Sequence, residues 1–96
     1  MGDDPIRQRL VVSGRVQGVG FRRYVERAAH RHGVAGWVKN RPDGGVEILV
    51  EGPRTALDGL TADVRRGPPG AHVLDIQASA AAGDEPLPRP FAIHRG

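Results

Sequence analysis

The sequence predicts an α+β sandwich in which two helices cover one face of an antiparallel sheet of four to five strands. Three observations carry that prediction. Apolar residues recur at helical spacing in two stretches, Phe21 to Ala29 and Leu57 to Val64. Short apolar or alternating runs fall at residues 8–14, 34–41, 46–51 and 72–80. Their order along the chain is strand, helix, strand, strand, helix, strand. A length of 96 residues suits one core and one domain. The expected division is a flexible N-terminal segment at residues 1–7 and a folded domain at residues 8–96.

Each element has a local reason. Leu10-Val11-Val12 is the apolar centre of a buried first strand, and Gly14 to Gly20 carries the glycines of a loop. Phe21, Tyr24, Val25, Ala28 and Ala29 then follow the i, i+3, i+4, i+7, i+8 rule of an amphipathic helix, with Gly33 placed to cap its end. Val46, Ile48 and Val50 alternate with Glu47, Leu49 and Glu51, and Arg41-Pro42-Asp43-Gly44-Gly45 supplies the turn chemistry of a hairpin. Pro53 suits the first position of a second helix, whose Leu57, Leu60 and Val64 face inward. Gly59 weakens that helix by about 1 kcal/mol relative to alanine. Gly67-Pro68-Pro69-Gly70 ends it, and His72 to Ala80 presents Leu74, Ile76 and Ala78 on one face of a fourth strand. Residues 81–90 hold three prolines and read as loop, and Phe91 to His94 as a short edge strand. The resulting βαββαβ order is the split βαβ arrangement of the ferredoxin-like fold.

Composition narrows the chemistry. The chain has no cysteine, which removes disulfides, thiolate metal sites and cysteine nucleophiles and fits a reducing, cytoplasmic setting. No apolar run reaches the ~20 residues of a membrane-spanning helix, so no membrane partner is expected. Met1-Gly2-Asp3-Asp4 lacks the basic-then-apolar order of a signal peptide. Thirteen arginines against one lysine give a formal charge of +3, which reads equally as coding bias or as a preference for anions.

Position favours the anion. Three glycines in the seven residues Gly14 to Gly20 let peptide N–H groups turn inward as a nest, and the following helix adds its positive end. Arg22, Arg23 and Arg27 crowd that end, where each cation is disfavoured by ~0.3–1 kcal/mol. A bound anion offsets the conflict, and a guanidinium grips two of its oxygens at once. Arg22 lies off the apolar stripe and nearest the loop. Arg23 and Arg27 can instead pair with Glu26 on the surface. Known nucleotide loops do not fit, because Gly20 is followed by Phe21-Arg22 rather than Lys-Ser/Thr, and position 23 is not glycine.

A second clue lies in Gly36-Trp37-Val38-Lys39-Asn40. Asparagine is depleted in strands, so Asn40 at the end of one has either a turn-capping role or a site role. Trp37 reads as packing and Lys39 as solvated. His30, His32, His72 and His94 lie away from the helix N-terminus or in other elements, and read as surface or packing residues. No His, Asp or Glu cluster has metal-ligand spacing.

Gly14-Arg15-Val16-Gln17-Gly18-Val19-Gly20-Phe21-Arg22 resembles the acylphosphatase signature Gly-x-Val-Gln-Gly-Val-x-Phe-Arg. Gly36 to Asn40 resembles the family's second motif, and Glu51-Gly52-Pro53, Gly67 to Ala71 and Phe91-Ala92-Ile93 match in type and order. The likeness runs from Gln8 to about His94. It implies a metal-independent hydrolase, without cofactor, that cleaves acyl phosphates to a carboxylate and inorganic phosphate. It also implies roles: Arg22 as the phosphate-binding catalytic arginine, Asn40 as the residue that orients the attacking water, and Val16, Gln17, Gly18, Val19 and Gly20 as the loop whose amides cradle the phosphoryl group. The family commonly ends Ile-Arg-Tyr. In this sequence His94-Arg95-Gly96 follows Ile93, a departure expected to leave both motifs untouched.

These parts suffice chemically. The carboxylate that leaves has a conjugate acid of pKa about 4–5, so it departs without a general acid. What remains is positioning and charge stabilisation. The expected partners are a small acyl phosphate and the inorganic phosphate released from it, with no nucleic acid, and the expected state is a monomer. Two alternatives stay open: a carbamoyl phosphate-processing module of a larger assembly, to which the absence of a visible partner domain runs counter, and a ferredoxin-like nucleic-acid binder, against which the aromatic-free central strands argue.

Overall fold

The computed structural model describes residues 4–95, so residues 1–3 of the segment expected to be flexible, and Gly96, lie outside it. The first strand, β1 (Ile6–Arg15), opens before the expected boundary at Gln8. Ile6 pairs with Gly52 and Arg7 with Glu51, so both residues belong to the sheet.

The elements then follow as α1 (Phe21–His32), β2 (Ala35–Asn40), β3 (Val46–Gly52), α2 (Arg54–Arg66), β4 (His72–Ala80) and β5 (Ala92–Ile93). Among the described residues one sheet has the order β4-β1-β3-β2-β5. Pairs β1·β3, β1·β4 and β2·β3 are antiparallel. The edge strand β5 runs parallel to β2, so the sheet is mixed rather than antiparallel throughout. The reason is topological. The chain leaves β4 at the end of the sheet where β2 begins, so residues 81–91 cross to the far edge without turning back along the sheet. Gly36 N–H donates to Pro88 O on that crossing (2.9 Å).

Period-2 alternation puts Leu10 and Val12 of β1, Val38 of β2 and Val46, Ile48 and Val50 of β3 on one face, all fully buried. Against them pack Phe21, Val25, Ala28 and Ala29 of α1 and Leu57, Leu60 and Val64 of α2, the stripes expected from spacing. Gly33 caps α1 in the left-handed conformation, its N–H reaching Ala29 and His30 carbonyls. Pro53 is the N-cap of α2, one residue before the first helical position.

β4 departs from expectation. Its pairing with β1 shifts between Ser13 and Gly14, so that Ser13 opposes Asp75 while Gly14 opposes Val73. Leu74 is the extra residue of this bulge, and a bulge resets which face the residues beyond it occupy. Val73 and Ile76 therefore pack on the core, and Leu74, expected there, is 71% exposed. Ala78 is exposed too.

Candidate active site

Strands β1, β2 and β5 all end at the same edge of the sandwich, and α1 begins there. Between them lies a pocket of about 260 Å³, lined by Val16, Gly18, Gly20, Phe21, Arg22 and Asn40, with Arg23, Ile93 and Arg95 completing the wall. The two sequence clues, 18 residues apart, meet in one cavity.

The loop is shaped for an anion. Gly18 (φ 75°) and Gly20 (φ 74°) are left-handed while Val19 between them is not, and this alternation turns successive peptide N–H groups to one side. A Cβ at either glycine would meet nothing within 4 Å, so backbone conformation rather than crowding calls for glycine. Gly20 is also the N-cap of α1, and no side chain caps the helix. Its first turn holds no acid, leaving the free N–H groups and positive helix end open to a ligand.

Arg22 is half-buried and, among the described residues, takes part in no ion pair or hydrogen bond. Arg23 behaves as expected on the surface, with Nε 3.7 Å from Glu26, although it also borders the cavity. Arg27 forms no such pair among the described residues.

Asn40 is aimed by the pleat. Val38, two residues earlier, is buried under the helices, so Asn40 points to the same side, at the end of the strand. Its Oδ1 is buried and accepts no hydrogen bond from the protein. An orphaned buried acceptor is costly, by roughly 1–3 kcal/mol, so its retention needs a cause outside the fold's own bonding.

Gln17 and Val19 do not line the cavity through their side chains. Gln17 Nε2 donates to Arg41 O (2.9 Å) and Gly45 O (2.8 Å), which ties the loop to the β2–β3 hairpin. Val19 packs against the core. The hairpin is itself braced. Asp43 Oδ1 accepts the Gly45 N–H at 2.9 Å, and this bond, with the Arg41 guanidinium, holds the Asp43 carboxyl below its usual range. Position 41 is thus fixed from two directions, and Asn40 is its neighbour.

Three wall residues escaped sequence reasoning: Arg23, Ile93 and Arg95. The departure after Ile93 was expected to leave the motifs untouched, yet Arg95 shares the cavity with Arg22 and Asn40. β5 explains it. Val38 pairs with Ile93, and His94 N–H donates to Val38 O (2.8 Å), which carries residue 95 up to the end of β2. His94 stacks on Trp37 (5.4 Å between centroids, 17° between planes), and Lys39 Nζ lies 5.1 Å from the same ring, on the opposite face from Asn40.

The other histidines lie outside the cavity. His30 Nε2 is 3.1 Å from Phe91 O and His32 Nε2 is 2.8 Å from Asp63 Oδ2. Among the described residues, no group of three or more His, Asp or Glu could hold a metal ion, and no helix is long and apolar enough to cross a membrane.

Comparison with known proteins matches residues 8–93 to the acylphosphatase family. The chain is 49% identical over 89 residues to an acylphosphatase of Nitrobacter hamburgensis, covering 92% of this chain and 89% of that one. The crystal structure of acylphosphatase from Bacillus subtilis superposes with a TM-score of 0.87 at 46% identity, over 93% of this chain and 98% of the other. Full-length HypF in its phosphate- and nucleotide-bound form superposes with a TM-score of 0.82 at 25% identity, over 98% of this chain and 12% of that one.

Proposed function

Because this chain belongs to the acylphosphatase family, whose activity is hydrolysis of acyl phosphates, we propose that Arg22 and Asn40 carry that reaction and that the Val16–Gly20 loop holds the phosphoryl group. One observation carries the reading most. Asn40 Oδ1 is a buried acceptor with no partner, opening on the cavity that holds an unpaired guanidinium. A water that donates to Oδ1 satisfies it and is thereby aligned for attack.

The steps follow from charge and geometry. Peptide N–H groups of Val16, Gln17, Gly18, Val19 and Gly20, with the start of α1, bind the equatorial oxygens, and Arg22 grips two of them. The water held by Asn40 attacks phosphorus in line with the P–O bond to the acyl group. That bond breaks as the new one forms, and the electron pair leaves on the carboxylate. The amide of Asn40 is too weak a base to take the water's proton. In a loose transition state the proton passes late, to a phosphoryl oxygen, which removes the need for a general base.

The matched unit in HypF is a small part of a longer chain, and this supports a second reading, as a module of a larger assembly. Turnover by the isolated chain separates the two. A cytoplasmic location and a monomeric state belong to the same proposal, and light scattering on the purified protein tests the latter. The central experiment is benzoyl phosphate hydrolysis by wild type and by Arg22→Ala. Loss of one preorganised donor is expected to lower kcat about 10²–10³-fold. A near-wild-type rate in the variant overturns the assignment.

A further inference from the structure

We propose that Arg95 is a specificity-determining residue that binds a carboxylate at the far end of the acyl group, so that acyl phosphates of dicarboxylic acids are the favoured substrates. The inference rests on the reading that Arg22 and the loop hold the phosphoryl end.

The cavity is larger and more cationic than a phosphoryl group needs. Its volume of about 260 Å³ exceeds what four heavy atoms fill, when one water in the liquid takes ~30 Å³. Two positive residues besides Arg22 border it, and no carboxylate does. Arg23 has a protein carboxylate within reach, that of Glu26 at 3.7 Å. Arg95 has none: among the described residues it joins no ion pair and no hydrogen bond. Its placement is also ordered by the sheet. Ile93 and Arg95 are two residues apart, both line the cavity, and the bond from His94 N–H to Val38 O pins the segment between them.

The wall therefore offers a sequence of environments: the amide nest and Arg22 for the phosphoryl group, apolar surface from Val16, Phe21 and Ile93 for a short carbon chain, then a guanidinium. A neutral acyl group would leave Arg95 facing hydrocarbon. A planar carboxylate meets the two-donor fork of a guanidinium edge to edge.

The test compares kcat/KM for succinyl phosphate and butyryl phosphate, which share a four-carbon chain and differ in the terminal carboxylate. Wild type is expected to prefer succinyl phosphate. Arg95→Gln should lower the succinyl-to-butyryl ratio about three- to fivefold, the size of one exposed charge pair, chiefly through KM. Arg95→Lys should keep most of the preference, and rising ionic strength should erode it in wild type. An unchanged ratio in Arg95→Gln, or equal loss on both substrates, overturns the proposal. A wild type that hydrolyses neither compound overturns the acyl phosphate reading beneath it. One that hydrolyses butyryl phosphate with a ratio insensitive to Arg95 overturns only the role of Arg95.

Discussion

Gln17 Nε2 lies 2.8 Å from the carbonyl oxygen of Gly45, on the far side of the β2–β3 hairpin from Asn40. With its second bond, to Arg41 O at 2.9 Å, this amide spans the loop that cradles the anion and the strand end that orients the water. The two halves of the site come from separate parts of the chain, and Gln17 fixes the distance between them.

Gln17→Ala should therefore cost both stability and rate. Two net hydrogen bonds at ~0.5–1.5 kcal/mol each predict a loss of about 1–3 kcal/mol in urea unfolding. Misalignment of Asn40 against the loop should lower kcat by about tenfold or more, with a smaller effect on KM. Stability loss with kcat unchanged would show that the loop and hairpin hold their positions without the brace.

Asn40 should show the opposite relation between stability and activity. Its Oδ1 is desolvated without compensation, so Asn40→Ala removes a destabilising group from the fold. The variant should unfold at an equal or higher urea concentration than wild type while losing about 10²-fold or more in kcat. Asn40→Asp should be no more active than Asn40→Ala at neutral pH, because it adds a negative charge beside a phosphoryl dianion. A large stability loss in Asn40→Ala would mean that Asn40 serves the turn and not the water.

Gly59 interrupts α2 for a reason that helix propensity does not contain. The ring of His32 lies over it, so that a Cβ at position 59 would fall 2.6 Å from His32 Cε1. Gly59→Ala alone should fail to stabilise the protein, because the ring must move and its 2.8 Å bond to Asp63 must lengthen. In a His32→Ala background the same change should recover about 1 kcal/mol, the ordinary advantage of alanine over glycine in a helix. Additive effects in this double-mutant cycle would refute the contact.

Asp63 gives the acid limb of stability a specific origin. The His32 ring bonded to it, then the charges of His32, Arg31 and Arg66, hold its carboxyl below the usual range. A carboxyl whose folded pKa is depressed adds stability that is complete above the unfolded value, about 3.9, and is lost as pH falls through the folded one. Asp63→Asn should therefore be less stable than wild type near pH 6, with the difference shrinking below about pH 4. Chemical denaturation across that range measures it, and a constant difference would assign the loss to packing.

Much of this molecule was written locally. The stripe from Phe21 to Ala29, the alternation of Val46, Ile48 and Val50 and the stop at Gly67–Gly70 depend on helical and pleated periods, and those periods decide which side chains can share a face whatever lies opposite. The glycines of the loop and the arginine after Phe21 likewise stated their chemistry in the order of residues. The clash between a cation and a helix N-terminus needs no third dimension to be seen.

What required the folded molecule is whatever depends on register between distant segments. Leu74 reads as a core residue until the pairing of β4 against β1 inserts a bulge that turns it outward. Gln17 reads as a loop residue until Gly45 arrives beside it, and Gly59 as a flaw until His32 covers it. Arg95 enters the cavity because β5 joins β2 parallel, in a register fixed by Val38 and Ile93. Hydrophobic period sets the direction of a side chain along its own element. Only the hydrogen-bonded alignment of one element on another sets which remote group that side chain meets.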